Sequence, residues 1–181
     1  MDRVFLRTIT EDNLMDIWQI YGDEEVCRMC GAKPVRSIID AAAVMDILIK
    51  NNDSFVIIHK ETMKAVGIIS IKRDIHRYNK NAYMFGYLLK KEFWGRGIMP
   101  QALKLAIKYT FNNLGAEVVS AAHFVDNIQS KKVLEKCGFV YEGTLRKEFR
   151  RWDGKVLDSC TYSILFEEFK ENQEKYNIEN D

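Results

Sequence analysis

The segment Trp94-Gly95-Arg96-Gly97-Ile98-Met99-Pro100 constrains the fold of this chain more than any other. The apolar run AYMFGYLL precedes it and reads as a strand. Behind it, Leu103, Ala106, Ile107, Thr110 and Leu114 recur at helical spacing. Pro100 suits the first turn of that helix, where no backbone donor is needed. A helix start presents unpaired N–H groups and a positive dipole end, and glycines let a phosphate come close to the backbone. Residues 95–99 would supply the donors, and Arg96 would add charge. A structural turn into a buried helix explains the glycines equally well. Two nucleotide readings fail. A P-loop ends in Gly-Lys-Ser/Thr, which is missing. A dinucleotide-binding turn needs a third glycine where Pro100 stands, and it follows the first strand of a βαβ unit. Here the turn follows the fourth strand of a largely hairpin-connected run.

That run is read from its periodicity. RVFLRTI is a strand. TEDNLMDIWQIYGDEE is a helix, with Leu14, Ile17, Trp18 and Tyr21 on one face. Ser37 and Asp40 form a capping-box pattern ahead of IIDAAAVMDILIK, whose apolar stripe is Ile38, Ala41, Ala42, Met45, Leu48 and Ile49. SFVIIH and AVGIISI are strands joined as a hairpin by KETMK. Past the glycine turn and its helix, EVVSAAHF is the fifth strand. DNIQSKKVLEKCG is a helix capped by Asp126 or Asn127 and stopped by Gly138. FVYEGTLRKEFRRW and KVLDSCTYSILF are two long strands joined through Asp153-Gly154, a tight-turn pair. The acidic end, about 166–181, reads as a fraying helix or tail.

Composition narrows the class. A length of 181 residues favours one domain over 1–181, and 47% hydrophobic with 29% charged residues reads as soluble and globular. The net charge of +1 gives no whole-chain case for nucleic acid as a partner. Lys and Arg concentrate in 90–108 and 131–155, a local basic rim that suits an anion; solvated faces account for most of those charges as readily. Cys27-x-x-Cys30 has metal or redox spacing but no second pair, so Cys27, Cys30, Cys137 and Cys160 are expected as reduced thiols, with no metal. The N-terminus has no apolar signal core and no run approaches ~20 apolar residues, so a cytoplasmic protein without membrane partners is expected.

A second motif, NIQSKKVLEKCGF, lies one strand beyond the glycines. Together the two resemble the GNAT acetyltransferase superfamily, and within it the RimJ/RimL-type branch. Gly97 falls on the fixed glycine of the family's Gln/Arg-x-x-Gly-x-Gly/Ala pattern, while Trp94 and Met99 depart from its ends. Asn127, Ser130, Val133, Leu134, Glu135, Lys136, Gly138 and Phe139 match the branch's N-x-x-S-x-x-V-L-E-K-x-G-F, and EGTLR with the later DG…D…YSIL match its closing hairpin. The resemblance runs from LRTITEDN to about Phe166. It implies a mixed α/β (α+β) fold: a mostly antiparallel seven-stranded sheet, splayed between strands four and five and flanked by about four helices. It also implies acetyl-CoA as cosubstrate, its pantetheine arm lying in the splay. The backbone of Leu88 and Leu89 would pair with that arm. The amides of Gly95, Arg96, Gly97, Ile98 and Met99, with Trp94 leading the turn, would hold the pyrophosphate. Asn127 would bind the arm and Ser130 would lie beside it. Without the glycine motif, a helix cap and a solvent-facing residue would be the better readings of those two.

The acceptor is less determined. Many members carry a Glu base where this chain has Met84 and a Tyr acid where it has Leu134. An α-amine, with a pKa of ~7.7–8.0, is roughly a tenth neutral at pH 7, and a lysine amine at ~10.4 far less. A site without a strong base therefore suits a protein or peptide N-terminus, or a small amine of modest pKa. A weakly catalytic acyl-CoA sensor and a small-molecule or antibiotic acetyltransferase are the alternatives. Asp158 is a candidate base or amine anchor, against a plain partnership with Arg150 or Arg151. His123 is a candidate proton relay, against a structural histidine. Glu142 reads as a surface carboxylate. Trp18, Met29, Tyr83 and Trp152 are possible acceptor walls, each more ordinarily core. A homodimer is possible.

Overall fold

The computed structural model describes residues 3–50 and 53–176. Seven strands share one sheet in the order β1-β2-β3-β4-β5-β7-β6. β1 (Val4–Thr8), β2 (Ser54–His59), β3 (Lys64–Arg73) and β4 (Ala82–Leu89) form an antiparallel run. β4 and β5 (Val118–Phe124) are parallel, which requires the crossover through α4. β6 (Val140–Arg150) and β7 (Val156–Leu165) close the sheet as an antiparallel hairpin.

Strand alternation sends side chains to two cores. On one face α1 (Leu14–Gly22), α2 (Glu24–Cys30) and α3 (Ile38–Lys50) bury Ile17, Ile20, Val26, Met45 and Leu48 against Val56, Ile68 and Leu88. On the other, α4 (Ile98–Asn113) and α5 (Ile128–Lys136) bury Leu103, Ile107 and Leu134 against Ile69, Phe85 and Val119. Each fully buried aliphatic side chain contributes about 1.5–3 kcal/mol.

Three features differ from the sequence reading. The first helix is not continuous. Asp23 leaves the helical conformation (φ −77, ψ 111) and its carboxylate accepts from the N–H of Glu25 (2.9 Å) and Val26 (3.1 Å), starting α2. Cys27 and Cys30 thus lie on a helix, as free thiols. Together with α6 (Phe166–Glu171), the described residues hold six helices rather than about four. The described part of the acidic end, 166–176, docks. α6 and a 3-10 turn (Gln173–Tyr176) bury Phe169 and Tyr176, whose hydroxyl donates to Cys137 O at 3.0 Å. The rest of the tail, 177–181, lies outside the described residues. No helix among them is long and apolar enough to cross a membrane.

Candidate active site

β4 and β5 pair only from Ala82↔Val118 to Phe85↔Ala121. Each strand then stays with its outer neighbour, β4 with β3 as far as Leu89 and β5 with β7 as far as Phe124. The two therefore diverge and leave a wedge in the middle of the sheet. A cavity of about 470 Å³ occupies it, within the usual range for small-molecule sites.

Hydrogen-bond parity decides which backbone groups face the wedge. Asp74 N–H donates to Ala82 O (3.0 Å), and Lys90 N–H donates to Val66 O (2.8 Å). Even-numbered residues of β4 thus direct their polar groups to β3, and odd-numbered ones face away. Leu88, expected to pair with a ligand, is turned toward β3. Tyr87 and Leu89 face the wedge. Leu89 keeps only its N–H for a ligand in plane, because its carbonyl accepts the Trp94 indole N–H at 2.8 Å. That bond ties the glycine turn to the strand.

The turn itself is open. Gly95 (φ 71) and Gly97 (φ 75) are left-handed, and a Cβ at either would meet nothing within 4 Å among the described residues. Their glycine requirement is conformational. Gly97 caps α4 without a side-chain partner, and no acidic residue lies in the first helical turn. Arg96 is exposed, its guanidinium 5.6 Å from the Phe93 ring centroid. Ile98 and Met99 are buried, and Trp94 and Met99 line the cavity.

Asn127 caps α5. Its Oδ1 accepts Ser130 N–H and its Nδ2 donates to Met29 O, both at 3.0 Å, so it joins α2 to α5 across the cavity wall. Ser130 Oγ meets the Tyr87 hydroxyl. Burial raises the Tyr87 phenol well above its usual range, and desolvation at the cavity wall pushes the thiol of Cys30, an exposed residue, up to about 11. The surface those two side chains expose lies on the cavity wall. His123 is 5% exposed and lines the cavity; its Nδ1–H donates to Phe124 O at 2.7 Å.

Asp158 is exposed and outside the cavity lining. Its carboxylate accepts the N–H of Lys147 (2.7 Å), a residue at φ 52 inside a register shift of β6. Neither Arg150 nor Arg151 is its partner. Arg151, 7% exposed, makes a two-point pair with Asp153 (3.0 and 2.6 Å) and donates to Arg28 O. Glu142 is held by Arg77 and by Ser163 Oγ (2.8 Å), and the Arg77 hydrogen bond keeps its carboxyl below the usual range. Of the four suggested walls, Met29 lines the cavity and Trp18, Tyr83 and Trp152 do not.

Glu148 is a cavity residue that the sequence did not disclose. The shift between Leu145 and Phe149 breaks the two-residue period of β6, so alternation cannot say which way Glu148 points. It lies 3.6 Å from His76 Nε2. Lys72, Arg73 and Met84 also line the cavity. Tyr87 and Leu89, the flanks of the glycine turn at Trp94 and Met99, and the ionisable Lys72, Arg73, His76 and Glu148 line one cavity.

The family model for the Acetyltransferase (GNAT) domain matches residues 3–140, and the chain belongs to this family. It is an acetyltransferase. It is 27% identical over 169 residues to the uncharacterized N-acetyltransferase YoaA of Bacillus subtilis, covering 91% of this chain and 94% of that one. A putative ribosomal N-acetyltransferase of the same organism, YdaF, is 34% identical over 104 residues, 58% of this chain and 55% of that one. The spermidine N-acetyltransferase of Vibrio cholerae, solved with CoA and spermine, superposes with a TM-score of 0.79 at 21% identity, over 93% of this chain and 98% of that one.

Proposed function

We propose that this chain, as one domain over 1–181, moves the acetyl group of acetyl-CoA to a primary amine by direct attack. The acceptor is a protein or peptide N-terminus, or a small amine of similar pKa. The wedge between β4 and β5, with the glycine turn at its open end, carries the reading. When bound, acetyl-CoA supplies an activated thioester. The N–H groups of Tyr87 and Leu89 are available to its carbonyl and to the pantetheine amides, and the amides of 95–99 are available to its pyrophosphate. Trp94 holds the turn against the strand. Asn127 and Ser130 line the path of the arm.

The charge at the acceptor end favours a monoamine. Glu148 is the one carboxylate on the cavity lining among the described residues, and the same lining carries Lys72 and Arg73. A polyamine would bring several positive charges against those cations, and like charges at close range are costly. One ammonium group meets Glu148 without that penalty. The match to the RimJ/RimL motif and the relative described as a putative ribosomal N-acetyltransferase support an N-terminal amine. The fold shared with a spermidine acetyltransferase keeps a small-molecule acceptor as the second reading.

Thiol release from acetyl-CoA, measured with alanine-initiated peptides, free lysine and spermidine, tests the proposal. Turnover is expected with the peptides. Faster turnover on spermidine or lysine would overturn the acceptor class, and binding without turnover on any amine would overturn the reaction.

A further inference from the structure

His123 follows Ala121, the last β5 residue paired to β4, by two positions, so it stands at the closed end of the wedge. An extended arm entering from the glycine turn would end there. The ring's setting is specific. Nδ1–H donates to Phe124 O, which leaves the lone pair of the neutral imidazole on Nε2. That Nε2 is buried and has no hydrogen-bond partner among the described residues. The Tyr162 ring, 5.4 Å away, supports the imidazole. A buried acceptor left unpaired is unfavourable and requires an explanation, of which a catalytic role is one. Unlike Ser54 Oγ and Trp152 Nε1, which are also buried and unpaired among the described residues, this Nε2 belongs to a residue that lines the cavity. The positions that carry a base and an acid in many relatives hold Met84 and the fully buried Leu134, neither of which moves a proton.

We infer that His123 Nε2 carries both proton transfers of the reaction, taking the proton of the attacking amine and returning it to the leaving sulfur. This rests on the acetyl-transfer reading above. The lone pair of a neutral amine forms a bond to the thioester carbon. Nε2 takes a proton from the nitrogen. The C–S bond breaks with its electron pair on sulfur, and Nε2–H protonates the thiolate. The imidazole ends as it began, and no other reactant is consumed. Tyr87, its phenol raised by burial, holds its proton too tightly for that step.

Tyr162 and Cys160 on β7 stand directly against His123, with Glu135 on α5 acting on Tyr162. Tyr87 on β4, Cys30 on α2, Glu148 on β6, and Lys72, Arg73 and His76 line the same cavity. Glu148, Glu135 and His76 are the carboxylates and the second imidazole of this set, so Glu148→Gln, Glu135→Gln and His76→Gln are the controls.

Two measurements decide the matter. The first is kcat and its pH profile for His123→Gln, on the amine of the panel that wild type turns over fastest. A fall in kcat of about 10²–10³, with KM for acetyl-CoA within threefold and loss of the acid limb of the profile, is expected. Imidazole added to His123→Ala should restore part of the rate. A normal rate and profile in His123→Gln, or an acid limb that instead disappears in one of the three controls, would overturn the inference. The second uses wild type with CoA and needs no acceptor or variant. Nitrogen NMR of the histidines should show His123 with its proton on Nδ1. A proton resident on Nε2 at pH 8 would contradict the inference, even if the proposed acceptor class also proved wrong.

Discussion

Gly97 and Gly31 are both left-handed, and an added methyl group separates what each does. At Gly97 (φ 75) a Cβ meets nothing within 4 Å among the described residues, so Gly97→Ala adds backbone strain of about 1–2 kcal/mol. Denaturant unfolding should show that loss, and the KM for acetyl-CoA should rise because the turn relaxes away from its donor geometry. Gly31 (φ 83) ends α2 where a Cβ would lie 2.8 Å from the Phe149 ring and 3.0 Å from the Phe124 ring. Gly31→Ala adds overpacking to strain and should cost about 2–4 kcal/mol. Both rings line the cavity, so amine turnover should fall as well. The sequence made Gly97 conspicuous through its motif. Gly31 had no motif, and its role exists only because α2 meets β6 in the folded chain.

Among the elements, the β6–β7 hairpin depends on two carboxylates. Asp158 accepts the Lys147 N–H and so holds the register shift that brings Glu148 to the cavity. Asp158→Ala should therefore lower kcat/KM through lost positioning of Glu148, while Asp158→Asn, which keeps an acceptor oxygen, should retain most of it. Asp153 is held at about 2, below its ordinary 3.8, by the hydrogen bond from Arg151. Its folded value is depressed, so its contribution is complete above about pH 4 and is lost as pH falls through about 2. Chemical unfolding between pH 4 and 2 should show a shallower slope in Asp153→Asn than in wild type. Much of this level was legible in advance. The strands, the α4 and α5 caps and the closing turn follow from period, glycine and capping residues. The break at Asp23 was not, because a capping aspartate inside a helical pattern looks like one more charged helix residue. Glu148 was hidden by a shift that destroys the alternation on which its orientation would have been read. Leu88 was misassigned because side-chain pattern does not report the direction of backbone donors.

Across the whole molecule, two cores clamp a sheet that is divided at its centre. The wedge opens because β4 and β5 each keep their outer partners, so ligand binding and folding are linked through the same strands. Acetyl-CoA at about 100 times its Kd should add about 2.7 kcal/mol of stability and raise the Tm by about 5–10 °C. Amide hydrogen exchange with and without CoA reads the central claim most directly. Binding should slow exchange at Tyr87 and Leu89 and across residues 95–99, and leave Leu88 unchanged because it already faces β3. Unaltered exchange at Tyr87 and Leu89 in the CoA-saturated protein would contradict the placement of the cosubstrate in the wedge.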